Sequence, residues 1–80
     1  MMASPGMIIT VDLAGQLSRS LPQHQVLEVP SGATASQAAE LLGLNLEEIG
    51  LITINGVQSE LQDILKPGCR LCFFPYLTGG

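Results

Sequence analysis

Residues 69–80 read CRLCFFPYLTGG. In an extended chain successive residues alternate faces. Leu71 and Phe73 then point one way, Cys72 and Phe74 the other. The pattern predicts a strand over 69–74 with one face for a core. Pro75 lacks the N–H that a ladder needs and is expected to end it. Residues 76–80 are then left as a flexible tail closing on Gly79-Gly80. Upstream, Lys66-Pro67-Gly68 makes a tight turn into the strand.

Such a strand needs a neighbour. A second candidate strand lies at the other end of the chain, where residues 7–13 read MIITVDL. Ile9, Val11 and Leu13 share one face; Thr10 and Asp12 share the other. Residues 14–22 contain Gly15 and Pro22 and read as a loop, or as a short helical turn placing Leu17 and Leu21 on one side. Residues 25–29, QVLEV, form a second strand with Leu27 and Val29 inward and Glu28 outward. Pro30-Ser31-Gly32 closes it.

The one substantial helix is expected over 34–42. Thr34 with Gln37 three residues later has the spacing of a capping box. Ala35, Ala38, Ala39, Leu41 and Leu42 give an apolar stripe, and Gly43 a stop. Asn45 and Glu48 could cap a short turn through Ile49, ended by Gly50. Residues 51–55 form a third strand, and Asn55-Gly56 is a strong hairpin signal. Val57 and Gln58 start the return, and Leu61, Ile64 and Leu65 are apolar anchors after it.

The order is strand, strand, helix, strand, short strand, strand. One helix covers one face of so small a sheet and leaves the other open. The fold class is α+β: a β-grasp (ubiquitin-like) arrangement. Its mixed four- to five-stranded sheet has the first and last strands side by side at the centre. Residues 1–6 are a leader, 7–75 the domain and 76–80 the tail.

Bulk composition narrows the function. Eighty residues suffice for one domain. A hydrophobic fraction of 46% and a mean hydropathy of +0.39 exclude a disordered chain. The net charge is −4, and Arg19, Lys66 and Arg70 are the only basic residues besides His24, which excludes a nucleic-acid binder. No apolar run approaches the roughly 18 residues of a membrane span. Residues 1–6 carry no secretory pattern, so a cytoplasmic location is expected.

One histidine and seven carboxylates offer little for acid–base or metal chemistry. Neither an enzyme nor a metal site is expected. Cys69 and Cys72 spell C-x-x-C, but on a strand they stand about 10 Å apart on opposite faces. That exceeds the roughly 7 Å reach of a disulfide. Both read as small hydrophobes. His24 reads as a surface histidine in a polar loop, and Asp12 as a solvated carboxylate.

The tail FFPYLTGG on this strand order resembles the MoaD/ThiS family of ubiquitin-like sulfur carriers. It is closest to the MoaD branch, the small subunits of molybdopterin synthase. The resemblance covers residues 7–80, and the tail is its specific motif. It implies that the Gly80 carboxylate is adenylated by a MoeB/ThiF-like activating enzyme and converted to a thiocarboxylate. The sulfur then passes to the large subunit of molybdopterin synthase or an equivalent acceptor. ATP and Mg²⁺ belong to the activating enzyme, and no cofactor is bound by this chain. Leu77, Thr78 and Gly79 would thread into the partner's active site; Cys72, Phe74, Pro75 and Tyr76 would form the docking surface. Glycine suits the tip because a side chain would block close approach.

Three alternatives accompany that reading: a modifier forming isopeptide bonds through Gly80, a thiazole sulfur carrier, and a non-covalent β-grasp interaction module. The family often has an acidic residue after the turn glycine, where this chain has Cys69-Arg70. Charged residues make up only 12%, about half the usual share. The deficit fits an apolar patch that partners normally cover, and predicts self-association of the isolated chain.

Overall fold

A computed structural model describes residues 6–19 and 21–76. It contains β1 (Gly6–Leu13), β2 (His24–Pro30), α1 (Ala35–Leu42), β3 (Ile49–Ile54), β4 (Val57–Ser59) and β5 (Arg70–Pro75). Single 3₁₀ turns span Gly15–Ser18 and Leu46–Glu48.

Alternation decides which way each strand faces. In β1, Met7, Ile9, Val11 and Leu13 are buried. In β5, Leu71 and Phe73 are buried while Cys72 and Phe74 are half-buried on the opposite face. The five strands form one sheet in the order β2-β1-β5-β3-β4. β1 and β5 run parallel at its centre, Val11 beside Leu71 and Leu13 beside Phe73. The other pairs are antiparallel.

The helix starts where its capping box dictates. The Thr34 hydroxyl accepts the Gln37 N–H at 3.2 Å, and Gln37 Oε1 accepts the Thr34 N–H at 2.9 Å. Ala35, Ala38 and Ala39 are fully buried in the same core cluster as the inward β1 and β5 residues. Small side chains let the helix lie close to the sheet. Leu17, on the first 3₁₀ turn, and Leu65 also belong to that cluster, as do Val29, Ile49 and Ile52. Asn55 and Gly56 both take positive φ, 54° and 82°, as a tight hairpin requires. Asn55 also ties this hairpin to β5: its Oδ1 accepts the Arg70 N–H at 2.9 Å.

Several local expectations need correction. The first strand begins at Gly6, paired with Pro30. The helix has eight residues, since Thr34 is its cap. Asn45 Oδ1 receives the Glu47 N–H, not that of Glu48, which bonds to the Asn45 carbonyl. Gly50 does not end that turn; it lies inside β3. Pro75 is the last residue of β5, opposite Ile49, and Cys69 precedes the strand. Ile64 is exposed and anchors nothing, because Leu65 takes the inward position and the two face opposite ways.

Candidate functional site

The open face of the sheet carries the chain's polar clustering. Register places His24, Asp12, Cys72 and Thr53 in one row across β2, β1, β5 and β3. Val26, Thr10 and Arg70 form the next row. Asp12 is the hub. One of its oxygens meets His24 Nδ1; the other accepts the Cys72 thiol at 3.6 Å and lies 3.6 Å from Arg70 Nε. Beyond this cluster the face turns apolar, with Phe74 beside Leu51. A cleft of about 340 Å³ runs from Asp12 and His24 past Cys72 to Phe74.

The sequence reading therefore needs two revisions here. His24 opens β2 rather than sitting in a loop, and Asp12 is paired rather than merely solvated. Asp12 and His24 are twelve apart in sequence and meet because β1 and β2 form an antiparallel pair. Alternation on both strands could have put them on one face, but only the register makes them neighbours.

Electrostatics at the hub follow from its partners. The hydrogen bond from His24 holds the Asp12 carboxyl below the ordinary value of 3.8, against partial burial, which opposes the shift. Burial pushes the Cys72 thiol up, and the Asp12 charge adds to it. Cys72 therefore stays a thiol at neutral pH and is a poor nucleophile. Cys69 is buried on the other side of the strand, and both cysteines are free. A folded carboxyl shifted down stabilises the fold above 3.8 and loses that contribution as pH falls through its folded value. An NMR titration of Asp12 is expected to give a midpoint below 3.8, and Asp12→Asn a shallower acid limb of stability against pH. A midpoint at or above 3.8 would contradict the pairing.

The remaining residues fall in two groups. Pro75 closes β5, and Tyr76 is exposed directly after it. Leu77, Thr78, Gly79 and Gly80 lie outside the described residues. Among the described residues, no group of three or more His, Cys, Asp or Glu is arranged to hold a metal ion. No helix among them is long and apolar enough to cross a membrane.

Solved structures share this architecture. Small archaeal modifier protein 1 (SAMP1) of Haloferax volcanii superposes with a TM-score of 0.72 at 23% identity, over 91% of this chain and 99% of that one. A Pyrococcus furiosus protein assigned as molybdopterin converting factor, subunit 1, gives 0.72 at 18% identity, over 89% of this chain and 99% of that one. The C-terminal ubiquitin-like domain of mouse tubulin-specific chaperone e gives 0.58 at 16% identity, over 100% of this chain and 96% of that one. The chain has the ubiquitin-like β-grasp fold. At these identities the likeness establishes architecture. No protein-family model and no curated protein sequence matches the chain. In this β-grasp sheet β5 is the central strand, so the described chain leaves the sheet at Tyr76 from its middle.

Proposed function

We propose that this chain is a ubiquitin-like sulfur carrier. One observation carries the reading: the central strand of a β-grasp sheet is followed in sequence by Tyr76-Leu77-Thr78-Gly79-Gly80. The likeness to a small archaeal modifier protein and to a protein assigned as a molybdopterin converting factor subunit supports it. In this scheme a Gly80 carboxylate oxygen attacks the α-phosphate of ATP on an activating enzyme and releases pyrophosphate. A sulfur nucleophile at the oxidation level of hydrosulfide then attacks the carbonyl carbon, and AMP leaves. The product is a thiocarboxylate, which donates its sulfur to a cofactor-building synthase; molybdopterin or tungstopterin is the first choice. The chain itself is the co-substrate, and ATP and Mg²⁺ sit on the activating enzyme.

The open face supplies the docking surface. Phe74 and Leu51 are its apolar side, with exposed Tyr76 following β5, and Asp12, His24 and Arg70 are its polar side. Leu77, Thr78 and Gly79 pass into the partner's site, where the lack of a side chain at Gly79 and Gly80 allows close backbone approach. The likeness to small archaeal modifier protein 1 favours a second reading, in which the activated Gly80 is passed to a lysine amine. Both need a free carboxylate on Gly80, native or after processing.

Intact mass spectrometry after co-expression with the adenylating enzyme of the same genome tests this. The expected product has one oxygen of the terminal carboxylate replaced by sulfur, and deleting Gly80 abolishes it. Lysine adducts on other proteins without that exchange would favour the modifier. An unchanged mass and no adducts would refute both.

A further inference from the structure

We propose that Gly50 is a positioning residue: its lack of a side chain sets the path on which the chain leaves the sheet. The delivery role rests on the carrier reading above; the path itself does not. A Cβ at Gly50 would stand 2.9 Å from Tyr76 Cα, 3.0 Å from Tyr76 N and 3.1 Å from the Pro75 carbonyl carbon. These are backbone atoms, so no side-chain rotation relieves the contact. Gly50 also sits at a register irregularity between Ile49 and Leu51, where β3 bulges against β5. Its φ is not among the positive values, so its conformation alone would accept other residues. The close approach of Tyr76 is what demands glycine there.

The same segment is confined from another side. A Cβ on Gly15 would stand 3.2 Å from Pro75 Cγ. The Tyr76 N–H donates to the Glu48 carbonyl at 3.4 Å, a long bond and the only backbone tie recorded for Tyr76 among the described residues. On the β3 side the neighbours Ile49 and Ile52 are buried in the core. When a methyl group is added at Gly50, the weakly tied segment therefore yields and the strand does not. Displacing a reacting group by about 1 Å can cost on the order of 100-fold in rate.

Gly50→Ala tests this in the full-length chain. In the wild type, an NOE between Gly50 and Tyr76 and slowed exchange of the Tyr76 amide are expected. In the variant both are lost, while the core amides keep their protection. In ATP–pyrophosphate exchange with the adenylating enzyme that charges the wild type, kcat falls by about 10- to 100-fold, and KM for the carrier rises as well because Tyr76 belongs to the docking surface. A purely structural role would instead lower the unfolding midpoint and leave the folded fraction's kcat unchanged. An unchanged Tyr76 amide, an unchanged kcat or a Gly50→Ala chain that does not fold would each overturn the proposal, the last because β3 would then be the part that yields. If no adenylating enzyme accepts the wild type yet Gly50→Ala displaces Tyr76, the carrier reading fails and the path-setting role stands.

Discussion

Phe73→Ala is expected to cost about 3–5 kcal/mol of folding stability. Phe73 is fully buried and is the largest of the fully buried side chains. It lies on the inward face of β5, beside Leu13 of β1 and Ile52 of β3. Truncation there opens a cavity at the centre of the sheet, where neighbours on both sides are held by ladders and cannot collapse into it. Domains of this size often have total stabilities near the lower end of roughly 5–15 kcal/mol. The variant should therefore lose most of its urea resistance, and a large unfolded fraction should appear at physiological temperature. A loss below about 1 kcal/mol in urea titration would mean that the core repacks around the gap.

Phe74→Ala should do the reverse. Phe74 is the next residue on the same strand, half-buried on the open face beside Leu51. If its remaining exposed surface is buried in a partner, removing it forfeits about 0.5–1 kcal/mol of docking energy. That corresponds to about 2- to 5-fold weaker binding to the activating enzyme. Calorimetric titration of the two folded chains measures it directly, and urea unfolding should show a smaller loss than for Phe73→Ala. An unchanged Kd with a large stability loss would mean that Phe74 packs within the chain and that docking lies elsewhere. Two adjacent phenylalanines thus separate folding from recognition, because a strand turns them to opposite sides of one sheet.

Much of the architecture was legible because it is written in short-range chemistry. The alternation over 7–13 and 69–74, the Thr34–Gln37 pair and Asn55-Gly56 each specify local geometry within a few residues. The central pairing of the first and last strands followed from the β-grasp arrangement that one helix on one small sheet suggested. What was not legible depends on register or on distant contacts. His24 meets Asp12 only because Asp12 pairs with His24 across β1 and β2, and the irregular connection between those strands leaves that offset open. Gly50 looked like a stop signal after Glu48, yet its glycine is explained by Tyr76, far along the chain. Ile64 and Leu65 are both apolar neighbours, and only the folded chain, with Leu65 buried and Ile64 exposed, shows which one joins the core. The proposed docking surface was partly legible: Cys72 and Phe74 fell on the open face as expected, whereas the polar cluster around Asp12 did not come from any local pattern.

The parallel pairing of β1 with β5 has a consequence for how the protein is made. Asp12 and Cys72 face each other across that pair although they are 60 residues apart in sequence. The middle of the sheet is therefore its last part to be synthesised. Closing so long a loop is entropically slow, and contacts of this range belong to slower-folding topologies. On the ribosome, β1 and β2 can pair early as a neighbouring antiparallel couple, but their inner edge stays open until residues 70–75 emerge. A chain stalled before that point lacks the strand that joins its two halves and should be cleared by proteolysis. Completion of the globule therefore waits for the strand that Pro75 ends, so a folded copy is one whose synthesis has already passed β5.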